Sequence, residues 1–244
     1  MNEYALIGFP LTHSFSEKYF TDKFAAENIA DSVYKLYELP DIAAFPDLLK
    51  AHPQLKGLNV TIPYKESVIA YLDELDEAAA QIGAVNVIKF THGKTKGFNS
   101  DYSGFMQSLQ HFYRDYSQAR ALVFGAGGAA KAVFAALKHL NIPYQLVTRH
   151  RQPEQLHYDD ITPAIIASHS LLINTTPLGT YPQVETCVPI PYGAITENHY
   201  LYDLVYNPAE TLFLKNGREN GAKTKNGYEM LCRQAEVAWQ IWNT

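Results

Sequence analysis

Three sets of residues in this sequence have types and spacing suited to chemistry. The first is Gly125-Ala126-Gly127-Gly128-Ala129-Ala130, which follows the apolar, strand-like run Ala121–Phe124 and opens a helix-forming stretch. Gly125 permits a tight turn, Gly127 lets the backbone approach a ligand, and the small Ala130 lets helix and strand pack closely. The N-terminus of the helix then offers unpaired N–H groups and a positive dipole end, which suit a pyrophosphate. A bare glycine pattern also occurs in plain turns. Here the strand before it and the helix after it make a dinucleotide the reading.

The second set sits at the tip of the next strand, Val147-Thr148-Arg149. An acidic residue there would accept from the ribose 2′-hydroxyl of NAD, whereas an arginine suits the 2′-phosphate of NADP. No carboxylate stands at this tip. Arg149 can pair with a phosphate through its planar fork and stack on adenine, and Arg151 could add charge. The expected cofactor is NADP; the bland alternative is a solvated arginine.

The third set is the pair Lys65 and Asp101. Hydride transfer to a ketone builds negative charge on oxygen, and that oxygen must receive a proton from a donor the protein supplies. Asn59-Val-Thr61-Ile-Pro63-Tyr-Lys65-Glu66 reads as a strand ending in a proline-marked turn, with Lys65 on the first turn of the next helix. A cation there opposes the helix dipole, so helix stability does not explain it. Asp101 closes Asn99-Ser100-Asp101. Taken singly, each is an ordinary surface charge, and sequence alone does not bring them together. His13 beside two serines reads as a ligand or, equally, as a hydrogen-bonded turn residue. The nine histidines and two cysteines show no metal spacing, so no metal site is expected.

The elements that must position these residues form two alternating series. Strand-like runs lie at Tyr4–Gly8, Val33–Leu39, Leu58–Ile62 and Val85–Phe90, with helical stretches at Ser14–Glu27, Ile42–Ala51, Lys65–Leu72 and Glu74–Ile82. Helix Tyr102–Tyr113 leads into the second series. Its strands are expected at Ala121–Phe124, Gln145–Thr148, Leu171–Asn174 and Tyr200–Val205, and its helices at Ala129–Leu140, Thr211–Asn220 and Tyr228–Trp242. Arg151–Thr162 reads as loop, as does Pro177–Pro191 with its four prolines. Alternation of this sort predicts parallel α/β architecture.

Composition narrows the class. The chain has 244 residues, 47% hydrophobic and 18% charged, enough for one large or two small domains with a real core. A formal charge of −5 without a basic run argues against nucleic acid. No apolar run is long enough to span a bilayer, and the start lacks the look of a signal peptide, so a cytoplasmic protein is expected.

Several separated motifs, in order, give a resemblance to the shikimate dehydrogenase family across nearly the whole chain. They are Gly8-Phe-Pro-Leu-Thr-His13-Ser14-Phe-Ser16, Asn59 to Glu66, Gly83-Ala-Val-Asn86, Asn99-Ser-Asp101, the glycine turn, Asn174-Thr-Thr-Pro-Leu-Gly179, Tyr202-Asp-Leu-Val-Tyr206 and the helix start from Gly227 to Gln234. The resemblance implies two α/β domains: a substrate domain of residues 1–101 plus 228–244, and a Rossmann-like NADP-binding domain of residues 102–227, with the last helix returning to the first. It implies reversible NADPH-dependent reduction of 3-dehydroshikimate to shikimate, a step toward chorismate and the aromatic amino acids.

The resemblance also implies roles. Lys65 and Asp101 match the catalytic pair at the reacting C3 oxygen. Ser14 and Ser16 match the serines that hold the substrate carboxylate, with Tyr206 nearby; hydroxyls would do this as neutral donors. Thr61, Asn86 and Gln234 match residues that bond ring hydroxyls. Gly125, Ala126, Gly127, Gly128, Ala129, Thr148, Arg149 and Thr175 match the cofactor site, as do Val205 and Gly227 near the nicotinamide. The chain departs from the family pattern at Glu17, where proline is usual, at Thr148 and His150 around Arg149, and at Val205, where methionine is common. It is also somewhat short, with the loss expected in the cofactor domain. The expected partner is a small-molecule substrate, with neither nucleic acid nor membrane, and the expected assembly a monomer or homodimer. Two alternatives stand beside this reading: a relative that acts on quinate or prefers NAD, and a catalytically silent sensor of cofactor and metabolite.

Overall fold

The computed structural model describes residues 1–11 and 14–244. The expectation for His13 lies outside the described residues. The chain divides into two compact units, Met1–Gly104 with Cys232–Thr244, and Phe105–Leu231.

The first unit runs β1 (Asn2–Gly8), α1 (Phe15–Ala26), β2 (Ser32–Glu38), α2 (Phe45–Ala51), β3 (Leu55–Val60), β4 (Glu74–Leu75), α3 (Glu77–Ile82), β5 (Val87–Thr91), β6 (Lys94–Phe98) and the start of α4 (Ser100–Phe112). Its sheet has the order β2-β1-β3-β5-β6-β4. β1 alternates faces with the strand period of two. Ala5 and Ile7 join Leu58, Val60, Val68, Ala79 and Ile88 on one side. Tyr4 and Leu6 join Phe20, Phe24 and Tyr34 on the other. That second cluster also holds Ala235, Ala238 and Trp242 of the C-terminal helix α8 (Tyr228–Asn243). The Trp242 indole N–H donates to the Ile88 carbonyl at 3.1 Å. Gly57 leaves room for it, since a Cβ there would strike the indole ring.

This sheet is mixed, which corrects the parallel expectation. β1 is parallel to β2 and β3, but β5 runs antiparallel to both β3 and β6. β5 and β6 form a hairpin through His92 (φ 51°) and Gly93 (φ 79°), a two-residue turn far too short for a parallel crossover. Two helix expectations also change. Glu74–Ile82 splits into β4 and α3, because the Asp76 side chain caps α3 by accepting from the Ala79 N–H at 3.2 Å. Lys65–Leu72 is a short 3₁₀ turn at Ser67–Tyr71 rather than an α-helix. The Lys65 carbonyl, which an α-helix would give to Ile69, instead accepts from the Val85 N–H at 2.7 Å.

The second unit continues α4 and adds β7 (Ala121–Phe124), α5 (Gly128–His139), β8 (Tyr144–Thr148), β9 (Leu156–His157), α6 (Pro163–Ala167), β10 (Leu171–Asn174), β11 (Tyr200–Asp203), α7 (Leu212–Glu219), β12 (Lys223–Lys225) and the first turn of α8. Its sheet order is β12-β11-β10-β7-β8-β9, and every ladder is parallel. The chain therefore leaves β7 toward β8 and β9, then returns to lay β10, β11 and β12 on the other side. That reversal at β7 is a topological switch point, the place where open α/β sheets bind ligands. The expected loop at Arg151–Thr162 contains β9 and a 3₁₀ turn at Tyr158–Asp160. α6 has no counterpart among the expected helices; Thr162 caps it, accepting from the Ile165 N–H at 3.3 Å, and Pro163 starts it. Among the described residues no helix is long and apolar enough to cross a membrane.

Candidate active site

In the first unit the residues singled out by sequence converge around the start of α4. Lys65 Nζ lies 2.6 Å from Asp101 Oδ2, with the two side chains 18% and 12% exposed. Both are anchored to the segment Ala84–Asn86. Lys65 gives its carbonyl to Val85, and the Asn99 side chain donates to the Ala84 carbonyl at 2.9 Å. Asn99 also caps α4, its Oδ1 accepting from the Tyr102 N–H at 3.0 Å. Asp101 therefore sits in the first turn of α4, where the positive dipole end favours a carboxylate. Lys65 precedes a 3₁₀ turn, so it does not stand against an α-helix dipole as the sequence suggests. Its ion pair with Asp101 is what fixes the ammonium.

Next to the pair is a buried amide network. Asn86 Nδ2 donates to Ser100 Oγ at 3.0 Å, and the Ser100 N–H donates to Asn86 Oδ1 at 2.6 Å. The Ser100 hydroxyl in turn donates to Gln234 Oε1 at 3.3 Å. Ser100 is fully buried and sets the orientation of both amides. A second chain reaches Asn86 from the other side. The Tyr34 hydroxyl donates to Asn59 Oδ1 at 2.7 Å, and Asn59 Nδ2 donates to the Asn86 carbonyl at 3.2 Å. Ser16 is hydrogen-bonded to the Tyr34 hydroxyl, whose pKa is raised by complete burial. Ser14 caps α1, its oxygen accepting from the Glu17 N–H at 3.3 Å. A proline at position 17 would have no such N–H to give. Thr61 follows β3, its N–H donating to the Ile7 carbonyl at 2.9 Å.

Sequence reasoning passed over Tyr34, Asn59 as a bonding group, and Ser100. The available signal was polarity out of place. Asn59 interrupts the buried run Leu58–Val60, where a polar side chain must find a partner.

In the second unit the glycine turn leaves the C-terminal end of β7. Gly125 has φ +102°, in the region that favours glycine, and a Cβ there would meet Thr175 and Thr176. Gly127 is the N-cap of α5 and makes no side-chain cap bond, so the first N–H groups of a twelve-residue helix face outward. A Cβ on Gly127 or Gly128 would meet nothing within 4 Å. Packing does not demand these glycines; the open space before the helix is what a phosphate would need. Ala126 is exposed, Ala129 half-buried and Ala130 buried. The Thr175 hydroxyl donates to the Phe124 carbonyl at 2.7 Å, tying the loop after β10 to the turn.

Arg149 is exposed at the end of β8, and its guanidinium forms no ion pair among the described residues. Arg151 is committed to Asp160, at 3.0 and 3.2 Å. The Thr148 hydroxyl is turned to the His150 carbonyl at 2.7 Å. Of the two arginines, Arg149 is the one available to a ligand. The Gly227 N–H donates to the Val205 carbonyl at 3.1 Å, and a Cβ at Gly227 would run into the Leu204 carbonyl. Tyr206 follows in the same loop, 38% exposed, with its pKa raised by partial burial. It belongs to the second unit, and Ser14 and Ser16 to the first. Among the described residues no three His, Cys, Asp or Glu side chains cluster as a metal site.

The parallel sheet with its switch point at β7, and an uncapped glycine turn opening α5, define an α/β protein of the dinucleotide-binding class. Comparison with known proteins makes this specific. Residues 6–88 match the family model described as shikimate dehydrogenase substrate binding domain. "Shikimate dehydrogenase (NADP(+))" of Caldanaerobacter subterraneus subsp. tengcongensis is 36% identical, over 98% of this chain and 90% of that protein. Shikimate 5-dehydrogenase of Thermus thermophilus, solved with NADP(H) and shikimate, superposes with a TM-score of 0.86 at 30% identity, over 99% of this chain and 93% of that one. Quinate dehydrogenase of Corynebacterium glutamicum, solved with NAD, gives a TM-score of 0.87 at 26% identity with the same coverages of 99% and 93%. The chain belongs to the shikimate dehydrogenase family.

Proposed function

We propose that this protein is an NADP-dependent shikimate dehydrogenase, which reduces the C3 ketone of 3-dehydroshikimate reversibly in the route to chorismate. The observation that carries the reading is the Lys65–Asp101 pair, 2.6 Å apart and anchored by the Ala84–Asn86 segment to the head of α4. Bound NADPH supplies the hydride. The hydride would go to C3 and a proton to its oxygen; the Lys65 ammonium donates a hydrogen bond to that oxygen and meets its developing charge as the proton is delivered, while Asp101 holds the ammonium in place and bonds a substrate hydroxyl.

The remaining polar groups orient the ring. Asn86, Gln234 and Thr61 bond its hydroxyls, the two amides already set by Ser100. Ser14 spends an oxygen lone pair on Glu17, which leaves its O–H to donate to the substrate carboxylate. Ser16 and Tyr206 complete that neutral carboxylate site. On the cofactor side the turn from Gly125 to Ala129 would hold the pyrophosphate, and Arg149, beside Thr148, would pair with the 2′-phosphate. Thr175, Val205 and Gly227 serve the remainder of the dinucleotide. In this reading residues 1–101 with 228–244 form the substrate domain and 102–227 the cofactor domain. The enzyme works in the cytoplasm as a monomer or homodimer.

The quinate dehydrogenase neighbour makes quinate with NAD the competing reading. The unpaired Arg149, with no carboxylate at the tip of β8, favours NADP. Steady-state rates with each substrate and each cofactor test the proposal.

A further inference from the structure

Asp203 ends β11 and is fully buried. Its Oδ1 accepts from Asn174 Nδ2 at 2.9 Å and from the Val205 N–H at 3.0 Å, and its Oδ2 accepts from the Thr211 hydroxyl at 2.5 Å. Among the described residues no Lys, Arg or His forms an ion pair with it, so these three donors alone offset its desolvation. Burial pushes its pKa up to about 6 despite them. A carboxylate kept in such a place at a desolvation cost needs a reason.

Each donor belongs to a different part of the unit's ligand-facing edge. Asn174 ends β10, and its Oδ1 organises the following loop by accepting from the Thr176 N–H at 3.0 Å and hydroxyl at 2.6 Å. Val205 opens the loop after β11, and its carbonyl receives the Gly227 N–H. Thr211 caps α7, accepting from the Leu214 N–H at 3.4 Å. One carboxylate thus ties together the loop after β10, the loop after β11 and the start of α7. A dinucleotide lying across the switch point places its adenosine toward β8 and its nicotinamide end toward β10 and β11.

We infer that Asp203 is a positioning residue for the nicotinamide half of the cofactor: it touches neither ligand but sets the loops that receive that half. The inference rests on the cofactor assignment above. It separates the two ends of the dinucleotide. Removing the carboxylate disturbs the loops after β10 and β11, and with them the Thr175 bonds to the turn after β7, while Arg149 at the tip of β8, which reads the adenosine end, is bonded through its carbonyl to His157 and to neither loop.

The test measures dissociation constants for NADPH and for adenosine 2′,5′-bisphosphate, which carries only the adenosine end. Asp203→Ala leaves three donors unpaired and should weaken NADPH about tenfold or more, with the bisphosphate within about twofold of the unchanged protein. Asp203→Asn keeps one oxygen for Val205 and Asn174, and its amide can donate to the Thr211 hydroxyl, so it should recover most of the NADPH affinity. Equal losses for both ligands, or no loss, would overturn the inference. Should Asp203→Ala fail to fold, Thr211→Val carries the test: NADPH about threefold weaker with the bisphosphate unchanged is expected, and parity overturns it. If the unsubstituted protein binds neither ligand, the cofactor assignment itself fails, which is a separate outcome.

Discussion

Lys65 and Asp101, 36 positions apart in sequence, meet at 2.6 Å because each is fixed to the short stretch between α3 and β5. Lys65 does so through its carbonyl to Val85, and Asp101 through the cap that Asn99 gives α4. The meeting is dictated by backbone, so the ammonium is held before any substrate arrives. Such preorganisation is what electrostatic stabilisation of a developing oxyanion requires.

Lys65→Ala should lower kcat by roughly 10²–10⁴-fold, the range for a positioned proton-transfer group. NADPH affinity should barely move, because Lys65 is not among the groups proposed to hold the cofactor. Stopped-flow and equilibrium titration would measure both. A mutant with near-normal kcat would remove Lys65 from the chemistry.

Ser100→Ala deletes the hydroxyl that accepts from Asn86 and donates to Gln234. Each amide then loses one bond, at a cost of about 1 kcal/mol apiece, while Asn86 keeps the Ser100 N–H. The expected result is a rise in substrate KM of about 3–10-fold with the KM for NADPH unchanged. A KM shift in the cofactor alone would contradict the placement of this network on the substrate side.

Arg149→Ala should weaken NADPH far more than NADH, since the only group distinguishing them is the 2′-phosphate. Arg151 cannot readily substitute while it is paired to Asp160. Equal losses for the two cofactors would point to general damage at the end of β8.

Stability should fall in acid through Glu3. Burial alone would raise its pKa, but bonds from Lys35, Tyr37 and Gln54 bring it from 4.5 down to about 2. The folded-state value lies below the unfolded one, so the stabilisation is fully present above about pH 4.5 and is lost as pH falls toward 2. Glu3→Gln should cost about 1–3 kcal/mol at neutral pH. Urea unfolding at stepped pH should show the gap between the two proteins closing in acid; a gap that widens would refute the assignment.

How much of this can be read from the sequence varies with the physics. β7, the glycine turn and α5 are legible because an apolar run, glycines and a helix former each act locally. The β5–β6 hairpin is not, because β6 is the polar-looking Lys94-Thr-Lys-Gly-Phe98, whose burial alternates only in the context of its neighbours. Its turn signal, His92-Gly93, is present but weaker than the usual Asn-Gly pair. Lys65 and Asp101 can be named, yet their meeting depends on Val85 and Ala84, a long-range link that no local pattern carries. Ser100 and Asp203 are invisible as organisers, since a buried polar residue declares itself only through its partners.

One steady-state comparison decides between the readings of this site: shikimate and quinate, each with NADP⁺ and NAD⁺. The highest kcat/KM is expected for shikimate with NADP⁺, from the ring-hydroxyl amides set by Ser100 and the free Arg149 at β8. Equal or better turnover of quinate with NAD⁺ would contradict the assignment.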